Sequence, residues 1–219
     1  MKQFYKEHKK EYFLFLLMFA LELAMIFIVS IRSEMSVYLR GDTNEFINVV
    51  KNLLYRHTFS LDSAPPFLPD NFRTPGYTLF LLIIYLVFLS FKPAIFIGAA
   101  VFALSAPLAY IIGKQIFSEK VSFIAALIFA IEPWALFQSG FLVAEQIFLP
   151  IFLLSIYLFC RYLKTGTTQF IYWAALVLGA TILIRPLATF FILIFLFFVF
   201  IREAKISMRH ALWVSFLSV

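Results

Sequence analysis

The chain has 219 residues, of which 63% are hydrophobic, 30 are Phe and only 14% are charged, with a formal net charge of +6. A water-soluble domain of this length cannot cover so much apolar surface with so few polar side chains, so an integral membrane protein is expected. The basic residues fall between apolar runs, where cytoplasmic loops carry Lys and Arg, so the positive charge is no sign of a nucleic-acid partner.

Lys2, Lys6, Lys9 and Lys10 precede the apolar run Tyr12–Ile31, which is too long for a signal-peptide core and is followed by no small-residue cleavage site. It reads as a first transmembrane helix with a cytoplasmic N-terminus. Glu22 stands in its middle, where a lone carboxylate faces the bundle interior; its distance from the outer loop favours a protonated or paired group over a catalytic one.

The outer loop, residues 32–76, holds the one long polar stretch. Within it, Phe46, Val49, Val50, Leu53 and Leu54 recur at helical spacing opposite Asn44, Glu45, Asn48, Lys51 and Asn52. This predicts an amphipathic helix of about 14 residues lying on the membrane surface. Asp42 and Glu45 have the spacing of an N-cap and its capping-box partner. Pro65, Pro66, Pro69 and Pro75 predict ordered coil up to Tyr77.

Apolar runs follow at Tyr77–Phe91, Ala94–Gly113, Val121–Phe137, Gln146–Cys160, Phe170–Ile184 and Pro186–Ile201. Cys160, the lone cysteine, excludes an intrachain disulfide and reads as a packing residue. Trp134, Tyr172 and Trp173 fall near span ends as interfacial belt residues. The last run, Ala211–Val219, has nine residues and does not cross a bilayer, so the expectation is a chain that stops partway through a larger protein or a natural short form of one. The predicted fold class is an all-α, multi-span helical bundle, a single module over 1–219 with an incomplete last helix at 211–219.

Charge sets the expected topology. Lys114 and Lys120, Arg161 and Lys164, and Arg202, Lys205 and Arg209 mark three basic loops on the cytoplasmic side. That parity requires one net crossing over Tyr77–Gly113. Tyr77–Phe91 is 15 residues, roughly 22 Å of helix against a hydrocarbon core of about 30 Å. It is therefore expected to dip into the outer leaflet without crossing. The turn Gln138–Glu145 and the break at Arg185-Pro186 then face outward, so that Asp42, Arg73, Glu145 and Arg185 converge at the outer membrane face.

Taken together, Gly41-Asp42 opening the outer loop, RTPGYTLF, AALIFAIEPWALFQSGFLVAEQIFLPIFLLSIYLFCRYLKTG and ALVLGATILIRPLATF give a chain that resembles the polytopic glycosyltransferases of the C superfamily over about residues 12–205. The nearest relatives are the protein O-mannosyltransferase and aminoarabinose-transferase-like proteins. The resemblance implies a polyprenyl-phosphate-linked sugar donor, an acceptor hydroxyl and a site on the extracytoplasmic face of the plasma (inner) membrane. By the resemblance Asp42 is the loop carboxylate, general base or acceptor-positioning group, and Glu145 the second acid. Arg73 and Arg185 match positions that meet the lipid phosphate. The chemistry suits these residue types: a carboxylate takes the acceptor proton, and arginines stabilise charge on the departing phosphate.

Glu45, His57 and Glu132 are secondary candidates. A capping role rivals the first, a solvated interfacial histidine the second and a helix-end carboxylate the third. Glu132 also departs from the family pattern, which often has a small polar residue before the proline. A divalent cation, Mg or Mn, held by Asp42 and Glu145 is compatible with these oxygen ligands. Two other classes compete: a transporter or flippase-like protein, disfavoured by spans nearly devoid of polar residues, and a non-catalytic scaffold of the same fold. The sugar and the acceptor are not legible.

Overall fold

The computed structural model describes residues 8–30 and 42–217, with side chains over 8–29 and 42–203. Gly41 and residues 32–40 of the outer loop, Arg40 among them, lie outside the described residues. The described residues form helices α1 (Lys9–Ser30), α2 (Thr43–Arg56), α3 (Pro75–Phe88), α4 (Lys92–Phe102), α5 (Ser105–Ile116), α6 (Glu119–Ala130), α7 (Pro133–Ser139), α8 (Glu145–Thr165), α9 (Thr168–Ile184) and α10 (Phe190–Leu217), with a 3-10 turn at Pro186–Thr189. No strand occurs among them.

Four segments are long and apolar enough to cross a bilayer: Lys9–Val29, Lys92–Ile116, Glu145–Thr165 and Pro186–Glu203. The bent pair α6–α7 makes a fifth if counted as one span. The protein is a multi-span helical membrane protein, as its composition requires.

The bundle has two ends. At one, Lys10 pairs with Glu119 at 2.7 Å and Lys114 with Glu11 at 2.9 Å, tying α1, α5 and α6 together. Near them, Leu14, Met18, Phe102, Ala106, Tyr110 and Ala126 make one buried cluster. At the other, Ile26, Phe46, Val50, Tyr77, Leu81, Ile95, Leu142 and Ile147 make a second, which joins α1 and α4 to α2, α3 and α8. The fully buried Ala94, Ala99, Ala103 and Ala106 let helix backbones approach closely, the usual basis of packing where the solvent is itself apolar. A third cluster, with the Phe159 and Phe195 rings stacked at 3.8 Å, joins α8, α9 and α10.

α3 makes no net traverse of the bundle. It runs beside α2, from Phe46 against Tyr77 (ring centroids 5.0 Å apart) to the Tyr55 and Tyr85 hydroxyls 3.2 Å apart. α4 then starts at this same end, with Ala94 and Ile95 in the cluster of Ile26, Leu142 and Ala144. The length of the run had pointed to this arrangement.

Two runs depart from expectation, whereas Ala94–Gly113 lies within a single span, Lys92–Ile116, as expected, with a local interruption of the helix between Phe102 and Ser105. Pro107 has no N–H to give the carbonyl of Ala103, which weakens the helix one turn earlier. Val121–Phe137 bends by 50° between Ala130 and Pro133, because Pro133 forces Glu132 into an extended conformation (φ −63°, ψ 120°). α10 does not stop at Ile201 but continues through the basic stretch to Leu217, so the expected third basic loop and the described part of the separate run are one helix. Residues 202–217 contain no Gly or Pro to end it.

Leu14, Met18, Glu22 and Ile26 line one stripe of α1 at a spacing of four, all buried, and Glu22 is 0% exposed. Neither Glu22 carboxyl oxygen has a hydrogen-bond partner among the described residues. An unsatisfied buried polar group of this kind costs about 1–3 kcal/mol. Glu22→Met, similar in length and apolar, is therefore expected to raise the thermal unfolding midpoint in detergent micelles by several degrees. An unchanged or lowered midpoint would show that Glu22 has a stabilising partner.

Candidate active site

The site is built on the segment between α2 and α3. Asn52 Nδ2 donates to the carbonyls of Ser60 and Asp62, both at 2.9 Å, and so anchors the segment to α2. The Asp62 carboxylate accepts from the Leu68 N–H at 2.9 Å, and Arg56 lies over the Phe67 ring at 3.7 Å. Asp70 then turns the chain: its carboxylate accepts from the N–H groups of Phe72 (3.1 Å) and Arg73 (2.8 Å). The turn aims Arg73 back at the start of α2.

The sequence RTPGY has a physical reason at each place. The Thr74 hydroxyl donates to the Ile184 carbonyl at 2.9 Å. Pro75 opens α3, where a missing N–H costs nothing. A Cβ on Gly76 would lie 2.6 Å from the Leu183 carbonyl oxygen, so only glycine lets α3 sit this close to the end of α9. Both contacts land immediately before Arg185. That residue is extended (φ −144°, ψ 121°) ahead of Pro186, which ends α9 and turns its side chain out of the helix.

Two arginine–carboxylate clusters result. Arg73 donates through Nη1 to Asp42 at 2.5 Å and through Nη2 to Glu45. Arg185 Nη2 donates to Glu145 at 2.6 Å. The Arg73 side chain is 13% exposed, whereas Asp42 is 54% exposed. The Arg73 hydrogen bond holds the Asp42 carboxyl below the usual aspartate range, and the same bond pushes the Arg73 guanidinium up.

Two adjoining cavities open around these groups. One, of about 260 Å³, is lined by Asp42, Thr43, Phe46, Gln138, Glu145 and Arg185 among others. The second, of about 340 Å³, is bordered by the polar Asp42, Arg73 and Arg185 and by the apolar Phe72, Ile184 and Leu187. Asp42 and Arg185 border both.

Asp42, Arg73, Glu145 and Arg185, expected to converge, are thus brought together, and Glu45 joins them. The capping expectation for Asp42 and Glu45 is corrected. Asp42 occupies the N-cap position of α2, but its side chain makes no capping hydrogen bond, because Arg73 takes both carboxylates. Glu145 does not cap either; it is the first residue of α8 and faces Arg185. His57 lies elsewhere, as the left-handed C-cap of α2 (φ 55°), and Glu132 caps α7 by accepting from the Trp134 and Ala135 N–H groups. Neither borders the two cavities. The sequence reading missed Asp70, although Asp70-x-x-Arg73 ahead of a proline is a recognisable turn signal. It also missed Gln138, which no local pattern marks.

Among the described residues no three His, Cys, Asp or Glu side chains come together to hold a metal ion. The two carboxylates Asp42 and Glu145 do not form a protein-only cation cage; a cation there would take its remaining ligands from a bound phosphate and water.

Arginines paired with carboxylates around open cavities are groups able to meet an anion such as a phosphate. Residues 72–219 match the dolichyl-phosphate-mannose-protein mannosyltransferase family model, and the chain belongs to that family. Membership makes it a membrane glycosyltransferase of the mannosyltransferase-like kind. Arg73, Glu145 and Arg185 fall inside the matched region, whereas Asp42 and Glu45 precede it. No curated protein and no solved structure matches the chain.

The Asp42 bridge gives a pH prediction. Because the folded-state pKa is lowered, the bridge is fully present above the ordinary aspartate value of 3.8 and is lost as pH falls through the lower folded value. Limited proteolysis of segment 58–74 is expected to stay slow from about pH 6 down past the ordinary aspartate range and to quicken only below it, whereas Arg73→Met is expected to be cleaved quickly across the whole range. Equal acid sensitivity in both proteins would mean that the bridge does not hold the segment.

Proposed function

We propose that the protein moves a sugar from a polyprenyl-phosphate-linked donor to an acceptor hydroxyl on the extracytoplasmic face of the plasma membrane. The observation that carries this reading is the second cavity, whose lining combines Arg73, Arg185 and Asp42 with the apolar Phe72, Ile184 and Leu187. A polyprenyl phosphate combines the same two characters, a charged headgroup and a hydrocarbon chain. Positive-inside topology supports a cytoplasmic N-terminus, which puts the cavity end of α1 outside.

In the proposed reaction the acceptor hydroxyl oxygen attacks the anomeric carbon as the bond from that carbon to the phosphate oxygen breaks. Asp42 takes the hydroxyl proton. The polyprenyl phosphate leaves with the bonding electron pair, and Arg73 and Arg185 stabilise its charge. Glu145 holds Arg185 in the shared wall of both cavities, and the neighbouring cavity, with Gln138, is open to the acceptor. A single displacement inverts the anomeric configuration. A divalent cation, if bound, would be held by Asp42 and Glu145 and would supply further stabilisation of charge on the leaving phosphate.

The test is transfer in proteoliposomes from a panel of radiolabelled polyprenyl phosphate sugars. Asp42→Asn is expected to lower kcat by at least about a hundredfold, the usual minimum for loss of a general base. Arg185→Ala is expected to raise the donor KM. Equal transfer by the native chain and Asp42→Asn would remove Asp42 from the mechanism. Absence of both transfer and donor binding would favour the non-catalytic scaffold.

A further inference from the structure

We propose that Glu45 is a positioning residue that parks Arg73 away from its phosphate-binding role, and that an arriving donor phosphate takes Arg73 from Glu45 and Asp42, freeing Asp42 for the acceptor. This deepens the glycosyl-transfer reading and rests on it.

Arg73 is committed twice, one guanidinium nitrogen to Asp42 and the other to Glu45. Its Nε is buried and has no hydrogen-bond partner, so a donor group is held in reserve. Phe46 and Phe72 flank the guanidinium, with ring centroids at 5.2 and 5.3 Å, and confine it without satisfying that N–H. The charge balance is uneven. Arg185 faces one carboxylate, Glu145, whereas Arg73 meets those of Asp42 and Glu45 while Asp70 binds its backbone N–H. Arg73 is therefore the more strongly held of the two cations that border the second cavity.

A phosphate entering that cavity competes with Asp42 and Glu45 for Arg73. It has one advantage over them, contact with Arg185 across the same space. Handing Arg73 over leaves the Asp42 carboxylate unpaired on the edge of the first cavity, able to accept a proton. Without a phosphate, Asp42 stays paired and a poor base. The arrangement makes acceptor activation depend on donor occupancy.

The inference predicts a sign that a merely structural Glu45 would reverse. If Glu45 only held Arg73 in place for phosphate, Glu45→Gln would weaken phosphate binding. If Glu45 competes for Arg73, removing its charge strengthens binding. The experiment measures binding of sugar-free undecaprenyl phosphate to the full chain in nanodiscs. Glu45→Gln is expected to bind up to about fivefold more tightly than the native chain, as loss of one competing exposed ion pair implies. Asp42→Asn should shift the same way, and Glu45→Asp should stay near the native value. Tight native binding that Arg185→Ala weakens but Glu45→Gln leaves unchanged or weakens would overturn the inference and leave the glycosyl-transfer reading standing. No binding by the native chain would overturn both.

Discussion

Arg73 and Arg185 stand beside apolar helix ends, where an unpartnered cation is hard to keep, and each is matched by carboxylates from a different part of the chain. That constraint organises this end of the molecule. Arg73 ties the α2–α3 segment to the first turn of α2. Arg185 ties the break after α9 to the first residue of α8. Removing one partner of either bridge leaves a charge without compensation in a partly desolvated place, which costs more than the bridge itself contributes. Arg73 and Arg185 border open space as well as carboxylates.

The packing beneath the bridges explains their precision. Thr74 and Gly76 press the start of α3 onto the last carbonyls of α9, so Arg73 and Arg185 are fixed relative to one another by backbone contacts. On the other side, a Cβ on Gly98 would lie 2.3 Å from Gln146 Oε1, so α4 and the start of α8 are also in close contact. Gln146 in turn donates to the Ser139 carbonyl at 3.0 Å, which closes the α7–α8 turn behind Glu145. The far end of α1, with its own ion pairs, lies about 33 Å away along the 22-residue helix. The clusters of Arg73 and Arg185 lie at one end of the bundle.

Much of this was legible in the sequence. Membrane class followed from composition, α2 from a clear helical period, and the grouping of Asp42, Arg73, Glu145 and Arg185 from counting crossings between basic loops. The direction of the pairings was not. Asp42 and Glu45 have a capping spacing, and only the fold reveals that Arg73, 31 residues beyond Asp42, outcompetes the backbone N–H groups for them. Nor was the break after Phe102 legible, since its cause, Pro107, lies a turn downstream and proline inside a long apolar run is often tolerated. The unbroken α10 was obscured by its charges: Arg202, Lys205 and Arg209 look like a loop to a hydropathy reading, whereas their helix propensity favours continuation.

The proposed occupant of the cavity bordered by Arg73 and Arg185 is a polyprenyl phosphate. Photo-crosslinking in proteoliposomes with a polyprenyl phosphate carrying a diazirine on its first isoprene unit tests this directly. Adducts are expected on the peptides around Phe72 and Leu187, suppressed by unlabelled polyprenyl phosphate and abolished by Arg73→Ala with Arg185→Ala. Competed adducts instead in the apolar groove around Gln115, Cys160 and Phe198 would place the lipid elsewhere and contradict it.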